Sequence, residues 1–231
     1  MGASVFLMSS WDQYWQKSHL VNPDSPQESV GRVLDGKPVD NKIWLQTVDK
    51  VTKALKIDSE SLFLDLCGGN GLLSGQMSIV PKALICADLN ADLLSQVSPR
   101  SISRVQADVR QLPFLDLSFT SIAMYAAIQY LSETESIFLF ENLFGLLKEN
   151  GRVFIGDIPD YDSRMKYFSM NSRIDRYFNS IKIGRPMIGN WFERNWIRSA
   201  LQYSGFSHVE ILEQDEWEPY ASFRFDVVAE K

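Results

Sequence analysis

From residue 61 onward, short apolar runs alternate with segments whose apolar residues have helical spacing. The predicted strands cover residues 61–66, 82–89, 102–108, 119–126, 152–158, 207–217 and 222–231. The predicted helices between them cover residues 71–80, 91–98, 134–151 and 190–205. Such alternation is typical of a doubly wound α/β fold with a mostly parallel sheet, and the last two strands lie close enough in sequence to pair antiparallel. We therefore predict a seven-stranded, mostly parallel sheet with an antiparallel edge strand.

The N-terminal part of the chain is rich in aromatic and polar positions. Residues 40–55 begin with an aspartate suited to capping and continue with apolar residues at helical spacing. Residues 11–17 place Trp11, Tyr14 and Trp15 on one helical face, which indicates either a helix packed on the core or a helical lid over a binding site. The predicted units are an N-terminal helical extension or lid over residues 1–58, a main domain over 59–231, and a cap insertion in it at about 158–190.

Composition narrows the functional classes. The net charge of −6 and the pI of about 5.0 argue against a protein whose main task is binding nucleic acid. The two cysteines, Cys67 and Cys86, lack the spacing of a zinc site or a disulfide framework, so we expect no metal and two reduced thiols. The sequence shows neither a signal-peptide pattern nor an apolar run of membrane-spanning length, and we expect a cytoplasmic protein without membrane contact.

Chemically informative residues recur where the predicted strands end. Asp65 precedes a glycine-rich corner after the first strand, and Asp88, Asp108 and Asp157 follow the second, third and fifth strands; Tyr125 follows the fourth. Because ligands of open α/β sheets bind beyond the carboxyl ends of the strands, we expect these side chains to converge. Such a ring of carboxylates disfavours a phosphate-rich ligand and favours a cationic ligand with a ribose diol and an amino group.

The corner sequence DLCGGNG, taken together with Asp88 and Asp108, resembles class I S-adenosylmethionine (SAM)-dependent methyltransferases, and the resemblance covers roughly residues 61–231. It implies that SAM is the cofactor and S-adenosyl-L-homocysteine (SAH) the product. Cys67 stands where the family usually has its first glycine. We expect that this position therefore need not adopt a positive φ, while the two later glycines of the corner permit close backbone approach.

The resemblance also implies individual roles at the matching positions. Asp88 would bind the ribose hydroxyls, Asp108 would accept a hydrogen bond from the adenine amino group, Val109 would donate its backbone N–H, and Leu89 would flank the adenine. Asp65 is placed to bind the ammonium of the methionine part, directly or through water. The predicted cofactor-binding residues are Asp65, Cys67, Gly69, Gly71, Asp88, Leu89, Asp108, Val109, Tyr125 and Trp15.

A dinucleotide-binding fold is the main rival interpretation of the corner, because residues 69–74 read G-x-G-x-x-S. Asp88 has about the spacing expected of an acid that binds a ribose. The acid before the corner and Asp108 after the third strand count against this interpretation. A glycine turn without a ligand does not account for acids that recur at equivalent strand ends.

The catalytic group is less well marked. A base is needed only where the nucleophile must lose a proton. His208 is predicted to lie exposed in an edge strand, which leaves His19 as the histidine that could serve as a base. The candidate catalytic residues are Tyr14, Tyr125 and Asp157. In the lid interpretation, Tyr14 or Trp15 would face the sulfonium of SAM as a cation–π partner.

The acceptor is predicted from the cap. Residues 158–190 are basic within an acidic protein, and Arg164, Arg173 and Trp191 are candidate acceptor-binding residues; the segment forms either an arginine-lined cap for an anionic acceptor or a solvated helical face. The main hypothesis is methyl transfer to an oxygen or nitrogen atom of a small molecule, such as a sugar, a nucleotide-linked sugar or a secondary metabolite. The alternatives are an RNA or protein methyltransferase and a SAM-binding protein without catalysis. The sequence leaves the oligomeric state open.

Overall fold

A computed structural model describes residues 10–16, 22, 24–34, 36–169, 173–184 and 186–231, so His19 lies outside the described residues. The helices are α1 (Ser10–Trp15), α2 (Pro26–Ser29), α3 (Asn41–Ala54), α4 (Ala91–Ser95), α5 (Glu133–Leu146), α6 (Arg164–Ser169), α7 (Arg173–Lys182) and α8 (Arg194–Tyr203). The strands are β1 (Val33–Leu34), β2 (Lys37–Pro38), β3 (Leu62–Leu66), β4 (Ala83–Asp88), β5 (Ser103–Gln106), β6 (Phe119–Tyr125), β7 (Leu147–Pro159), β8 (His208–Glu213) and β9 (Arg224–Glu230).

Seven strands form the central sheet, in the order β5-β4-β3-β6-β7-β9-β8. Neighbouring strands from β5 to β7 run parallel, and β9 runs antiparallel to both β7 and β8. The predicted fold class is therefore confirmed, with the antiparallel strand placed next to the edge strand. The chain moves outward from β3 in one direction and then returns to β6 on its other side. The carboxyl end of β3 consequently lies at the switch point, where α/β sheets bind ligands.

Helices cover both faces of the sheet and bury its apolar side chains. On one face, Phe140 of α5 and Leu201 of α8 belong to the largest apolar cluster. On the other face, Trp44 and Val51 of α3 pack with Phe63 of β3. Each such side chain contributes about 1.5–3 kcal/mol when it is fully removed from water. Within the described ranges, no helix has the length and apolar character needed to cross a bilayer.

Local signals explain where the long helices begin. The Asp40 side chain accepts from the Lys42 N–H at the start of α3, as predicted. Ser132 and Glu135 form a capping box at the start of α5. The predicted end of this helix at Gly151 is wrong, because α5 ends at Leu146 and the chain continues directly into β7. The Lys231 ammonium donates to the carbonyl oxygens of two residues at this end of α5, at 2.8 and 2.9 Å, and so satisfies acceptors that a longer helix would have used.

The helix predicted over residues 71–80 is not present. The structure has turns there and one turn of 3-10 helix over Ser74–Gln76. Tertiary hydrogen bonds replace those of a helix, since the Trp44 indole N–H donates to the Leu72 carbonyl at 2.9 Å and the Ser74 N–H donates to Asp65 at 3.2 Å. Gly75 also packs so closely that a Cβ atom would lie 2.3 Å from the Ser98 carbonyl oxygen. The connection from β3 to β4 is therefore held by other elements.

Candidate functional site

The glycine-rich corner begins directly after β3 and turns through three positive φ angles. Cys67 has φ +56°, Gly69 has φ +56° and Gly71 has φ +71°. The expectation that Cys67 need not adopt a positive φ is wrong, and the cysteine occupies a conformation that glycine adopts without steric cost. At Gly68 a Cβ atom would lie 2.7 Å from both Asp65 Cγ and Cys86 Sγ, so this position tolerates only glycine without rearrangement.

A cavity lies beyond the carboxyl ends of β3, β4, β5 and β6. Nine of the ten predicted cofactor-binding residues line it, and these are Trp15, Asp65, Cys67, Gly69, Asp88, Leu89, Asp108, Val109 and Tyr125. Gly71 is not among the lining residues; a Cβ atom at Gly71 would lie 3.0 Å from Val97, so its conformation serves the turn behind the cavity. The fold thus brings together the nine residues predicted from the sequence, although the first and last of them, Trp15 and Tyr125, are separated by about half of the chain.

Of the three carboxylates in the cavity, Asp65 is buried and Asp88 is partly buried. Burial raises the pKa of Asp65 to about 6, although the Ser74 N–H opposes this change. Burial also raises the pKa of Asp88, whose two oxygens accept from the backbone N–H groups of Gly69 and Asn90, each at 2.8 Å. Removal from water thus disfavours the ionised form of both groups, and a ligand that supplies N–H or O–H groups would stabilise it.

Asp108 differs from the other two because it has a cation beside it. The Arg110 guanidinium donates to both of its carboxylate oxygens, at 2.8 and 2.7 Å. Burial favours a higher pKa at Asp108, but the bonds from Arg110 outweigh it and lower the pKa. Asp108 consequently stays ionised, with the free lone pairs of its oxygens as acceptors.

The three candidate catalytic residues have different environments. Tyr125 lines the cavity, and burial raises the pKa of its hydroxyl well above the usual value. Asp157 lies behind the cavity wall, where burial is outweighed by Arg224 and Arg32, which lower its pKa. The Tyr14 ring packs edge-on against Trp11 and Trp15, at 5.8 and 5.3 Å between ring centroids. Neither Tyr125 nor Asp157 has the pKa near neutrality that a general base needs.

Trp15 of helix α1 lines the cavity. The Asn90 side chain donates to the Trp15 carbonyl at 2.6 Å, and the Trp15 ring contacts Tyr130 at 5.4 Å between centroids. Tyr130 lines the cavity as well, and burial raises its pKa to about 12. Sequence reasoning missed Tyr130, although its place in the turn after β6 was a usable signal.

Arg32 and Trp44 were also missed. Both line the cavity next to Tyr125, and the Arg32 guanidinium carbon lies 5.2 Å from the centroid of Trp44 and 5.0 Å from that of Tyr125. Nothing in the sequence around Arg32 marks it, because its contacts are with residues distant in the sequence, such as Tyr125 and Asp157.

The predicted acceptor-binding residues lie in the cap, outside the lining of the cavity. The Arg164 guanidinium carbon lies 4.2 Å from the Tyr161 ring centroid, and that of Arg173 lies 4.4 Å from the Tyr167 ring centroid. Trp191 contacts Tyr167 at 5.9 Å between centroids. The cap is therefore an aromatic cluster with arginines stacked on it.

Exposed His208 begins edge strand β8, as predicted.

The charged groups that line the cavity can be compared with the needs of SAM and of a dinucleotide. Its lining carries three carboxylates against one cation, Arg32, and this set suits hydroxyl, amino and ammonium groups. A pyrophosphate would need a helix N-terminus after the corner, whereas residues 67–82, all of which are described, contain only turns and a 3-10 turn. The residues present therefore fit SAM and do not fit a dinucleotide.

Comparisons with known proteins agree with this assignment. Residues 63–151 match the family model of a methyltransferase domain. The sequence matches none of the curated proteins.

Solved structures share the fold. A SAM-dependent methyltransferase from Archaeoglobus fulgidus is 13% identical with a TM-score of 0.59, covering 83% of this chain and 95% of its own. A Haloferax volcanii protein, described as a candidate methyltransferase in complex with the Trm112 methyltransferase activator, is 14% identical with a TM-score of 0.65, covering 97% of this chain and 99% of its own. The match over residues 63–151, together with this fold and this cavity, supports a class I SAM-dependent methyltransferase that uses S-adenosyl-L-methionine as its cofactor.

Proposed function

We propose that this methyltransferase acts on an oxygen or nitrogen atom of a small molecule. SAM, when bound, supplies a methyl group that is activated by the positive sulfonium. The residues of the chain then have to bind, orient and shield the reactants, and a large part of the rate enhancement comes from this positioning.

The proposed cofactor roles rest on the three carboxylates that line the cavity. We propose that Asp65 accepts from the ammonium, Asp88 from the ribose hydroxyls and Asp108 from the adenine amino group, with Leu89 against the adenine. The backbone N–H of Val109 completes the adenine contacts. Support comes from the position of all three carboxylates in the lining of the cavity and from the burial that raises the pKa values of Asp65 and Asp88.

The observation that carries the small-molecule proposal is the cover over the cavity. Trp15 of α1 lines the cavity, its carbonyl accepts from the Asn90 side chain, and its ring contacts the ring of Tyr130. With this helix in place as a lid, we propose that the acceptor enters between α1 and the cap, where Trp191 and the stacked arginines Arg164 and Arg173 bound the entrance. A folded RNA or protein would have to displace the lid to bring its acceptor atom to the cavity.

Methyl transfer from tritiated SAM tests this proposal. The protein would be incubated with three fractions of a cell extract: small molecules that pass a 3 kDa filter, purified RNA, and protein. We expect label in the small-molecule fraction alone. Label in RNA or protein, with none in small molecules, would contradict the proposal while leaving the cofactor assignment intact.

A macromolecular acceptor is the second candidate, and one observation favours it. The Haloferax volcanii protein of the same fold is described in a complex with the Trm112 methyltransferase activator. By analogy, we propose as the alternative that this chain requires an activator protein and methylates RNA or protein. Co-purification of a stoichiometric small protein, with methyl transfer to RNA or protein only in its presence, would support this alternative.

A further inference from the structure

Two buried arginines share one carboxylate at the end of the cavity. The Arg32 guanidinium donates to Asp157 Oδ2 at 2.7 Å. Arg224 donates to the Asp157 carbonyl oxygen and lies 3.7 Å from the same Oδ2 atom. Arg32 is 4% exposed and Arg224 is 8% exposed, so both charges are removed from bulk water. A buried charge is stable only where an opposite charge and hydrogen-bond partners surround it.

Aromatic rings hold this pair in place. The Arg32 guanidinium carbon lies 4.8 Å from the centroid of Tyr220, in addition to its contacts with Trp44 and Tyr125. The Tyr220 hydroxyl donates to the Val33 carbonyl at 2.7 Å, which fixes that ring. The Arg224 guanidinium carbon lies 5.9 Å from the same Tyr220 ring. The two guanidinium groups are therefore positioned around a single tyrosine and have little rotational freedom.

The charged groups around the pair balance, with three cations (Arg32, Arg224 and Lys50) and three carboxylates. Lys50 donates to Asp226 and Glu218, at 2.7 and 2.5 Å, and the Gln214 side chain donates to both Asp157 and Asp226. The pair therefore needs no further charge for neutrality, and what it lacks is hydrogen-bond acceptors. The Nε–H groups of Arg32 and Arg224 are both buried and have no hydrogen-bond partner among the described residues.

The arginine pair lies between the cofactor cavity and the cap, where we propose that the acceptor enters. Arg32 lines the cofactor cavity beside Tyr125, and Arg224 follows Phe223, whose ring packs against Tyr167 of the cap at 4.2 Å between centroids. The pair therefore bridges the cofactor cavity and the cap. The unpartnered Nε–H groups of the two arginines are charged donors available to the oxygen atoms of a ligand.

We propose that Arg32 and Arg224 are specificity-determining residues that bind an anionic group, a carboxylate or a phosphate, of the methyl acceptor. Guanidinium groups suit both anions because their planar N–H donors match the oxygen geometry. This inference rests on the proposed small-molecule function and narrows the acceptor to an acid. It also assigns acceptor recognition to a buried arginine pair, whereas Arg164 and Arg173 of the cap stack on exposed or half-buried rings.

Binding to the SAH-saturated protein tests the inference by calorimetry. The probes are benzoate and phenyl phosphate, each compared with a neutral counterpart, benzamide and phenol. We expect at least one anion to bind about tenfold more tightly than its neutral counterpart, as one additional charged hydrogen bond provides. Arg224→Gln should abolish that preference, and Arg224→Lys should restore part of it by restoring the charge.

Arg152→Gln is the matched control. Arg152 likewise donates to a backbone carbonyl, that of Ala54, and pairs with a carboxylate, Glu230, but it lies toward the opposite end of β7. If Arg224→Gln does not fold, the wild-type preference and its weakening between 50 and 500 mM NaCl decide the question. Equal binding of neutral and anionic probes, no anion binding at all, or the same loss in Arg152→Gln would overturn the inference. SAH binding with a preference for neutral probes would reject this inference alone, whereas label transferred only to macromolecules would reject the proposed function.

Discussion

The Gly69 N–H donates to Asp88 Oδ2 at 2.8 Å, so the glycine-rich corner after β3 is joined directly to the end of β4. The same carboxylate accepts from Asn90 through its other oxygen. Asp88 therefore has a structural role in the corner as well as the proposed role in binding ribose. Ligand affinity and thermal stability therefore have to be measured on the same Asp88 variant, so that the two roles can be told apart.

Asp88→Asn keeps one carbonyl oxygen for the corner but removes an acceptor and the negative charge. We expect the Kd for SAH to rise about 10- to 100-fold, equivalent to 1.4–2.8 kcal/mol, and the thermal midpoint to fall, because the new NH2 group faces a backbone N–H that the carboxylate accepted from. Isothermal titration with SAH measures the Kd, and calorimetric unfolding measures the thermal midpoint. Asp92→Asn, an exposed residue of α4, is the control and should change neither. An unchanged Kd in Asp88→Asn would remove the ribose role from this residue.

Asp65 makes the stability of the ligand-free protein depend on pH. Its folded pKa of about 6 lies above the ordinary value of 3.8, so the folded state binds the proton more tightly than the unfolded state. The free energy of unfolding should therefore fall as the pH rises from about 4 to 6, by roughly 3 kcal/mol, and then level off. Urea unfolding across this range, compared between wild type and Asp65→Asn, measures the effect. Asp65→Asn should be flatter with pH and more stable at pH 7.

Cofactor binding should show the opposite dependence. The ammonium of SAH favours ionised Asp65, so the affinity should increase as the pH rises through about 6, and Asp65→Asn should lose this increase. Parallel curves for the two proteins would show that another group controls the affinity.

Two neighbouring positions of the corner should respond differently to a change of side chain. Gly68 has no room for a methyl group, whereas Cys67 has a backbone conformation that suits glycine better than cysteine. Gly68→Ala should destabilise the fold by about 1–3 kcal/mol, because the added Cβ meets Asp65 and Cys86 at 2.7 Å. Cys67→Gly should be neutral or stabilising by up to about 1 kcal/mol, since glycine adopts φ +56° without strain. Chemical unfolding of both variants gives the comparison, and loss of stability in Cys67→Gly would mean that the packing of the thiol exceeds the strain.

Two lysines of α3 offer a matched test of the buried charge network. Lys50→Met leaves Asp226 and Glu218 buried without their cation, and we expect a loss of about 3–5 kcal/mol in unfolding free energy. Lys53→Met removes an exposed pair with Asp49 on the same helix and should cost less than about 0.5 kcal/mol. Similar losses in the two variants would indicate a helix effect and contradict the role of the network.

Trp15 should govern how long the cofactor stays bound. Trp15→Ala removes the ring over the cavity, and we expect SAH to dissociate about 5- to 20-fold faster, with a smaller change in the association rate. Stopped-flow displacement of SAH measures both rates. Trp11→Ala is the control, because Trp11 also touches Tyr130 but does not line the cavity. Equal rates in wild type and Trp15→Ala would contradict the lid.

The sequence was sufficient for the sheet and for the acidic strand ends, because strand periodicity locates where each strand stops and parallel strands bring those ends together. It was not sufficient for Arg32 or Trp44, whose contacts arise from a chain path that no local pattern encodes. The helix predicted over residues 71–80 failed for a related reason. Hydrogen bonds from Trp44 and to Asp65 compete with helical ones there, and tertiary context overrides propensity.

The absence of a helix after the corner has a consequence for heat inactivation. The corner is held by Trp44 from α3, Asp65 from β3 and Asp88 from β4, so its local opening depends on three separate elements. Of these three, α3 alone lies outside the sheet, so loosening of α3 can remove the Trp44 hydrogen bond from the corner before the sheet itself unfolds. On warming, the capacity to bind cofactor should therefore be lost before the global transition, and bound cofactor should delay that loss. A substitution in α3, remote from the methyl acceptor, would then appear in assays as a temperature-sensitive cofactor defect.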